Sequence, residues 1–351
     1  MVPHFTYRPS PVEVRFAPGG AGPGLRAALR EHGVGRPLVI TTPSRLELAA
    51  DLVGDGVTYF TDVAEHVPRA IADAAVERAR QVRADALVAI GGGSATGTAK
   101  AVAVETGLPV LAVPTTFSGS EVTPVWGITD ATGKHTGTDP RVLPRCVIYD
   151  PDLAKSLPPA LAKTSAMNAL AHAVEGFWAP GTNPVTRIHA MAAIRLIVAG
   201  LATFDGPADR AGDFDGLLFG AYLAGTVFAD TGSGLHHRVC HVLGGSFGLP
   251  HAPTHAVVLP HVLALNSPYL PAESAAMATV FDEGEGDATG GLANLSRRLG
   301  IPGSLAELGM KESDLDEAAR LVAKRIPRGN PAPVDEQTIR RLLGDAHHGT
   351  C

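Results

Sequence analysis

Short apolar runs alternate with helix-like stretches through the first 150 residues, and few folds accept that pattern. Residues 38–41, 57–60, 86–90 and 110–113 read as strands; residues 44–53, 70–82 and a stretch from about Thr96 read as helices. Strands taking turns with helices predict a parallel, doubly wound α/β sheet. The alternation stops near Pro151. Residues 160–178, 185–201, 215–228 and 313–323 have helical spacing with little strand character. The expected division is an α/β dinucleotide-binding domain over 1–155 and an all-α domain over 156–351. The Gly- and Asp-rich residues 283–291 read as a mobile loop.

Composition removes several functional classes. At 351 residues with 45% apolar and 18% charged side chains, the chain can bury a large core. A net charge of −6 without a basic run argues against a nucleic-acid partner. Cys146, Cys240 and Cys351 are odd in number and far apart, which favours a reducing compartment over a disulfide framework. The N-terminal residues lack the apolar centre of a secretory signal, and no uncharged apolar run approaches a membrane span. A cytoplasmic enzyme is the expectation.

Gly91-Gly92-Gly93-Ser94 closes one strand and opens a helix. Glycines there let the backbone approach a phosphate, and the helix N-terminus offers N–H donors; Ser94 would serve as the N-cap. The bland alternative is a tight turn, yet three consecutive glycines exceed what a turn needs. After the next strand come Thr115, Thr116, Ser118 and Glu121, with hydroxyls at the strand end where parallel sheets bind ligands. Together these stretches predict one dinucleotide crevice. Thr42-Pro43-Ser44-Arg45 follows the first of the four strands where a ribose-binding carboxylate could stand. No acid is present and Arg45 is within reach, so NADH and NADPH are both open.

Residues 236–261 hold six of the fourteen histidines. His237 and His241 are four apart and share a helix face; Asn168 and His172 repeat the spacing upstream, and His251 follows a Gly-Leu-Pro break. Such pairs on facing helices are how helical metal sites are built, but Asn168 supplies an amide where a carboxylate is wanted. The bland reading of any single His is a packed core residue; His236 falls off the face of His237 and reads as structural, and His255 and His261 read as packing or capping residues.

These motifs resemble the iron-containing alcohol dehydrogenase superfamily, with its dehydroquinate synthase-like architecture. Within it the chain is most similar to the maleylacetate reductases, through residues 115–121, 139–144, 167–175 and 235–251. The resemblance runs nearly end to end. It implies a hydride-transferring reductase of maleylacetate that gives 3-oxoadipate, uses NAD(P)H and works as a homodimer. In metal-dependent members an Asp and three His hold Fe or Zn; the matching positions are Asn168, His172, His237 and His251, and the resemblance to maleylacetate reductases implies a reaction without metal. His237 and His241 are then the electrophilic and proton-donating pair. Lys134 matches a cofactor-contacting lysine, and Arg238 and Arg328 are candidate partners for substrate carboxylates.

The chain departs from that pattern at residues 325–333, where a tyrosine and an arginine are missing, and at Gly248 and Pro253, where acidic residues are usual. Three further readings follow. A different unsaturated or keto acid keeps the fold and the cofactor. A dehydroquinate synthase-like lyase would need the metal that Asn168 disfavours. A non-catalytic nucleotide-binding protein would have no use for four retained histidines in one cleft.

Overall fold

The computed structural model describes residues 4–131, 133–204, 213–281 and 287–350. They divide into two compact units. The first, Arg8–Leu157, carries strands β1 (Glu13–Phe16), β2 (Pro37–Ile40), β3 (Thr58–Phe60), β4 (Ala86–Gly91), β5 (Val110–Pro114), β6 (Val125–Asp130), β7 (Gly133–Thr138) and β8 (Cys146–Tyr149). Its helices are α1 (Ala21–Glu31), α2 (Leu46–Val53), α3 (Arg69–Gln81), α4 (Gly93–Thr106) and the short α5 (Pro151–Ala154).

Six strands form one parallel sheet in the order β1-β8-β5-β4-β2-β3. Every residue of β4 and β5 is buried, because helices cover both faces and a parallel strand then has no polar side. Leu25, Ala28 and Leu29 of α1 pack with Val39, Val88, Leu111 and Ile148 in one core. From β2 the chain moves outward to β3, then returns to lay β4 along the other side of β2. That reversal makes the C-terminal ends of β2 and β4 a topological switch point, where such sheets bind ligands. Residues 125–138 form an antiparallel hairpin, β6 with β7, which the strand-helix alternation does not anticipate.

Two buried charges set the loops of this unit. Asp150 accepts from the backbone N–H groups of Gly19, Ala21 and Asp152, tying the start of α1 to the end of β8. Lys100, fully buried on α4, donates to the carbonyls of Ser120, Thr123 and Val125 and to Thr123 Oγ1 at 2.5–3.0 Å. Glu121, also buried, accepts from Tyr149 Oη at 2.8 Å and Ser118 Oγ at 3.4 Å. The segment after β5 is therefore held from inside the protein. Burial lowers Lys100 to about 7, with Glu121 opposing the shift.

The second unit, which takes in the chain from Pro158, has helices and no strand among its described residues. It contains α6 (Pro159–Glu175), α7 (Pro184–Ala202), α8 (Phe214–Thr231), α9 (Leu235–Phe247), α10 (His251–Asn266), α11 (Pro271–Phe281), α12 (Ala288–Arg298), α13 (Leu315–Ala323) and α14 (Glu336–His348). Residues 4–7 group with this unit rather than with the α/β unit expected to contain them; Tyr7 hydrogen-bonds Asp230 at the end of α8. α7 is long and apolar enough to span a bilayer, but Arg187 and Arg195 lie within it and it packs along α6, α8 and α11. Of the expected loop at 283–291, residues 283–286 lie outside the described residues. The rest is no loop: Asp287 caps α12 by accepting from Thr289 N–H, and residues 288–291 are its first turn.

Lys100→Met removes a buried ammonium that donates to the carbonyls of Ser120, Thr123 and Val125. We expect a loss of about 3–5 kcal/mol in urea unfolding, together with weakened nucleotide binding as the segment after β5 loosens. A loss under about 1 kcal/mol would mean that the carbonyls find other donors.

Candidate active site

The candidate nucleotide-binding residues gather at the C-terminal edge of the sheet. Gly91 ends β4 with φ +149°, a conformation other residues avoid, and pairs with Pro114 of β5. A Cβ at Gly92 would lie 2.8 Å from Thr116 Cγ2, and one at Gly93 would lie 3.5 Å from Ser118 Cβ. The two loops therefore touch, and glycine is what allows it. α4 begins at Gly93 instead of about Thr96, and Gly92, not Ser94, is its N-cap. No side chain caps this end, so the first N–H groups of α4 remain available to an anion.

The other sequence candidates fall in the same unit. Thr42 and Pro43 follow β2, beside β4, with Thr42 Oγ1 3.1 Å from Ser44 Oγ. Arg45 donates to Ser156 Oγ at 2.6 Å, a contact that occupies the guanidinium expected to reach a 2′-phosphate. Lys134 lies on β7, opposite Thr129; a Cβ at Gly127 would approach its Cε to 3.2 Å, so that glycine leaves the lysine stem its path. Burial lowers the Lys134 pKa.

In the helical unit, α6, α8, α9 and α10 bring together a nest of imidazoles. His172 stacks on His237 at 4.9 Å between ring centroids, and Phe228 of α8 packs on both rings, at 4.8 and 4.7 Å. His241, one turn beyond His237, has its ring 6.1 Å away; His251 stacks with His241 at 6.5 Å. His172 and His237 are buried, whereas His241 and His251 are half-buried and form the open side of the nest. Asn168 Oδ1, His172 Nδ1 and His237 Nε2 are buried without a hydrogen-bond partner. Arg238 is half-buried with its Nε likewise unpartnered, while Arg328 is exposed and no described contact brings it to the nest.

Three residues given no chemical role by the sequence also belong to the nest. His255, expected to pack or cap, lies at its centre, 4.6 Å from His251 and 4.9 Å from both His236 and His237. His236 is fully buried, with Nε2 2.9 Å from His255 Nδ1. Glu175, a buried carboxylate on α6, accepts from Gly234 N–H at 2.9 Å, His236 N–H at 2.6 Å and His237 Nδ1 at 2.5 Å. Its signal was the i, i+4, i+7 run Asn168, His172, Glu175 on one helix face. Burial pushes Glu175 up, and the neighbouring His236 and the backbone N–H groups of residues 234, 236 and 237 pull it down. Burial, aided by Arg238, lowers His237 to about 3. Neutral His237 donating Nδ1–H to Glu175 satisfies both shifts and leaves Nε2 directed away from the carboxylate.

Comparisons with known proteins agree with this layout. The model of the iron-containing alcohol dehydrogenases matches residues 11–151, and that of the C-terminal part of the Fe-containing alcohol dehydrogenase family matches residues 162–347. The chain belongs to the iron-containing alcohol dehydrogenase family. It is 44% identical to a maleylacetate reductase of Sphingobium indicum, over 98% of both chains. The crystal structure of a maleylacetate reductase from Agrobacterium tumefaciens superposes with TM-score 0.91 at 38% identity, covering 99% of each chain. A putative alcohol dehydrogenase from Ralstonia eutropha JMP134 does so with TM-score 0.94 at 44% identity, again over 99% of each. As a member of this family, the protein is an oxidoreductase.

The residues present do not fit the metal of the iron-containing alcohol dehydrogenases. The carboxylate position is an amide, so the donor set is neutral and weaker toward a divalent ion. Among the described residues, the sets of His, Cys, Asp or Glu ligand atoms within 4.8 Å of one another are His236–Cys240–His255 and Glu13–His32–Cys146. His172, His237 and His251 do not form such a set.

Burial holds His172, His236, His237 and His255 neutral, their pKa values below the usual 6.5 and near 3 for His236 and His237. On acidification the unfolded chain protonates these rings near 6.5, while the folded chain does so only at much lower pH. Stability is therefore full above about pH 6.5 and falls toward pH 3, by up to about 1.4 kcal/mol per pH unit for each ring. The urea midpoint should drop steeply between about pH 6.5 and pH 5; a flat midpoint would show that the folded state already carries these protons.

Proposed function

We propose that the enzyme is a metal-independent maleylacetate reductase that adds hydride to the carbon–carbon double bond of maleylacetate to give 3-oxoadipate. The observation that carries this reading is the histidine held by a carboxylate, His237 on Glu175, with neutral Asn168 at the family's metal carboxylate position. The relationship to maleylacetate reductases of several bacteria supports the substrate. A small unsaturated keto-dicarboxylate as partner, a homodimer and a cytoplasmic setting belong to the same proposal.

NADH or NADPH, when bound, supplies the hydride. The uncapped start of α4 with Gly91, Gly92, Gly93 and Ser94 would hold the pyrophosphate, and Thr115, Thr116, Ser118, Thr42, Pro43 and Lys134 would hold the remainder. Hydride enters the alkene carbon β to the ketone, and the displaced electron pair moves onto the ketone oxygen. A proton then joins the carbon α to the ketone. What the protein must supply is a donor for the developing enolate oxygen and one proton.

The Glu175–His237 pair can do both. With one proton added to the pair, His237 Nε2 carries N–H whether the inner proton sits on Nδ1 or on Glu175. The buried carboxylate makes that extra proton affordable inside a nest that otherwise expels charge. His241 and His251, on the open side, connect the pair to solvent for reprotonation. Arg238 offers a guanidinium to a substrate carboxylate.

The test is NADH oxidation with freshly generated maleylacetate, before and after dialysis against a chelator. Turnover that survives chelation is expected; turnover lost and then restored by Fe²⁺ or Zn²⁺ would sink the metal-free mechanism. A folded, NADH-binding protein that does not turn over would favour a second reading, another unsaturated or keto acid. That reading draws on residues 325–333, where Asn330 Nδ2 donates to Asn266 Oδ1 at 2.8 Å and Arg328 stays exposed.

A second prediction concerns Glu175 as a positioning residue. Glu175→Gln removes the charge that supports the added proton, so kcat should fall about 10- to 100-fold with KM little changed. The alkaline limb of the kcat–pH profile, where the pair loses its added proton, should shift to lower pH as well. Equal loss of both constants with an unmoved profile would mark Glu175 as a packing residue only.

A further inference from the structure

One cluster in the nest has no part in the hydride chemistry. His236 and Cys240 lie one turn apart on α9, and His255 faces them from α10. All three are buried to 1% exposure or less. His236 Nε2 is 2.9 Å from His255 Nδ1 and 3.7 Å from Cys240 Sγ, and the three ligand atoms lie within 4.8 Å of one another. For donors around one Zn²⁺, bond lengths of about 2.0 Å to nitrogen and 2.3 Å to sulfur give separations of about 3.3 Å between nitrogens and 3.5 Å from nitrogen to sulfur. The observed 2.9 Å between nitrogens is somewhat shorter and the 3.7 Å from nitrogen to sulfur somewhat longer, both within the small shifts that ligation brings. The outer nitrogens, His236 Nδ1 and His255 Nε2, are buried with no partner.

We propose that His236, Cys240 and His255 form a binding site for Zn²⁺ or another thiophilic divalent ion, distinct from the position where the family's metal-dependent members hold theirs. The donor types suit that class of ion: a thiolate and two imidazoles are the soft and borderline ligands that select it over Mg²⁺ or Ca²⁺. As the metal–sulfur bond forms, the Cys240 thiol gives its proton to solvent, and the resulting thiolate brings one negative charge. The nearby Glu175 carboxylate, whose Oε1 accepts the His236 backbone N–H, offsets part of the remaining charge. The ion would clip α9 to α10 behind the reacting face and take no part in hydride transfer.

The experiment uses the full-length chain with Cys146→Ser and Cys351→Ser, so that Cys240 is the sole thiol. After chelation the protein is titrated with Co²⁺ alone and followed by its near-ultraviolet thiolate-to-cobalt charge-transfer band, then challenged with Zn²⁺. We expect one equivalent of Co²⁺, a one-thiolate band that Zn²⁺ abolishes, and a raised Tm with kcat unchanged. Adding Cys240→Ser should remove the band and the Tm gain. Absence of stoichiometric binding overturns the proposal, as does binding without the band that is lost in His172→Gln, which would place the ion at the family position. Because the band is read in a chain with one thiol, the answer does not depend on whether Cys240→Ser folds. Failure of the metal-free reductase reading would appear separately, as turnover that depends on the ion.

Discussion

The carboxylate of Glu175 is the contact on which the helical unit's chemistry rests. The N-cap of α9 is Gly234, which has no side chain to cap the helix, and Glu175 of α6 takes that part instead. Two of the helix's first N–H groups, those of Gly234 and His236, donate to the Glu175 oxygens. An anion at a helix N-terminus is stabilised by the orphan donors and by the dipole. The same carboxylate takes Nδ1–H of His237 and so fixes which nitrogen that ring presents to the nest. The approach is close: a Cβ at Gly234 would sit 2.7 Å from Glu175 Cδ, so the glycine is part of the device. One buried charge thus joins two helices, caps one of them and sets a tautomer.

The α/β unit solves a related problem with the opposite charge. Its loops at the C-terminal ends of the strands are irregular, yet they are held in place. Lys100 reaches out from α4 to four acceptors in the segment after β5, and Glu121 is pinned by Tyr149 and Ser118 in turn. Loop backbone that would otherwise be unpaired in a dry interior is satisfied by side chains from the scaffold. In both units the ionised group is buried because what it organises is backbone.

Much of this could be read along the chain, and the limits have physical causes. The parallel sheet was legible because strands buried on both faces are continuous apolar runs, as residues 86–90 show. The hairpin of residues 125–138 was not, since its strands are only partly buried and its Gly, Thr and Lys content reads as loop. Asn168, His172, His237 and His241 were found by their four-residue spacing. Glu175 and His255 were missed because their roles come from packing between helices, and α6 and α10 are buried on nearly every side, so periodicity carries little information there. Ser94 was expected to cap α4 because serine favours that position, but the glycine turn starts the helix earlier and leaves the hydroxyl inside its first turn.

Replacing a carboxylate by Asn168 changes more than one ligand. With a carboxylate there, the nest would contain two buried anions a helical turn or two apart on α6, and a divalent cation would be needed to hold them together. With the amide, Glu175 is the sole carboxylate accepting hydrogen bonds within the nest among the described residues, and the three hydrogen bonds it accepts suffice for it. The rings around it can then stay neutral and packed at 4.6–6.5 Å. Such a nest disfavours an uncompensated charge but can take up a transient one next to Glu175, which is what the proposed reduction through an enolate would demand. Reduction of a simple ketone would ask for a standing Lewis acid in the same place; an activated double bond asks only for a donor and a proton at the right moment.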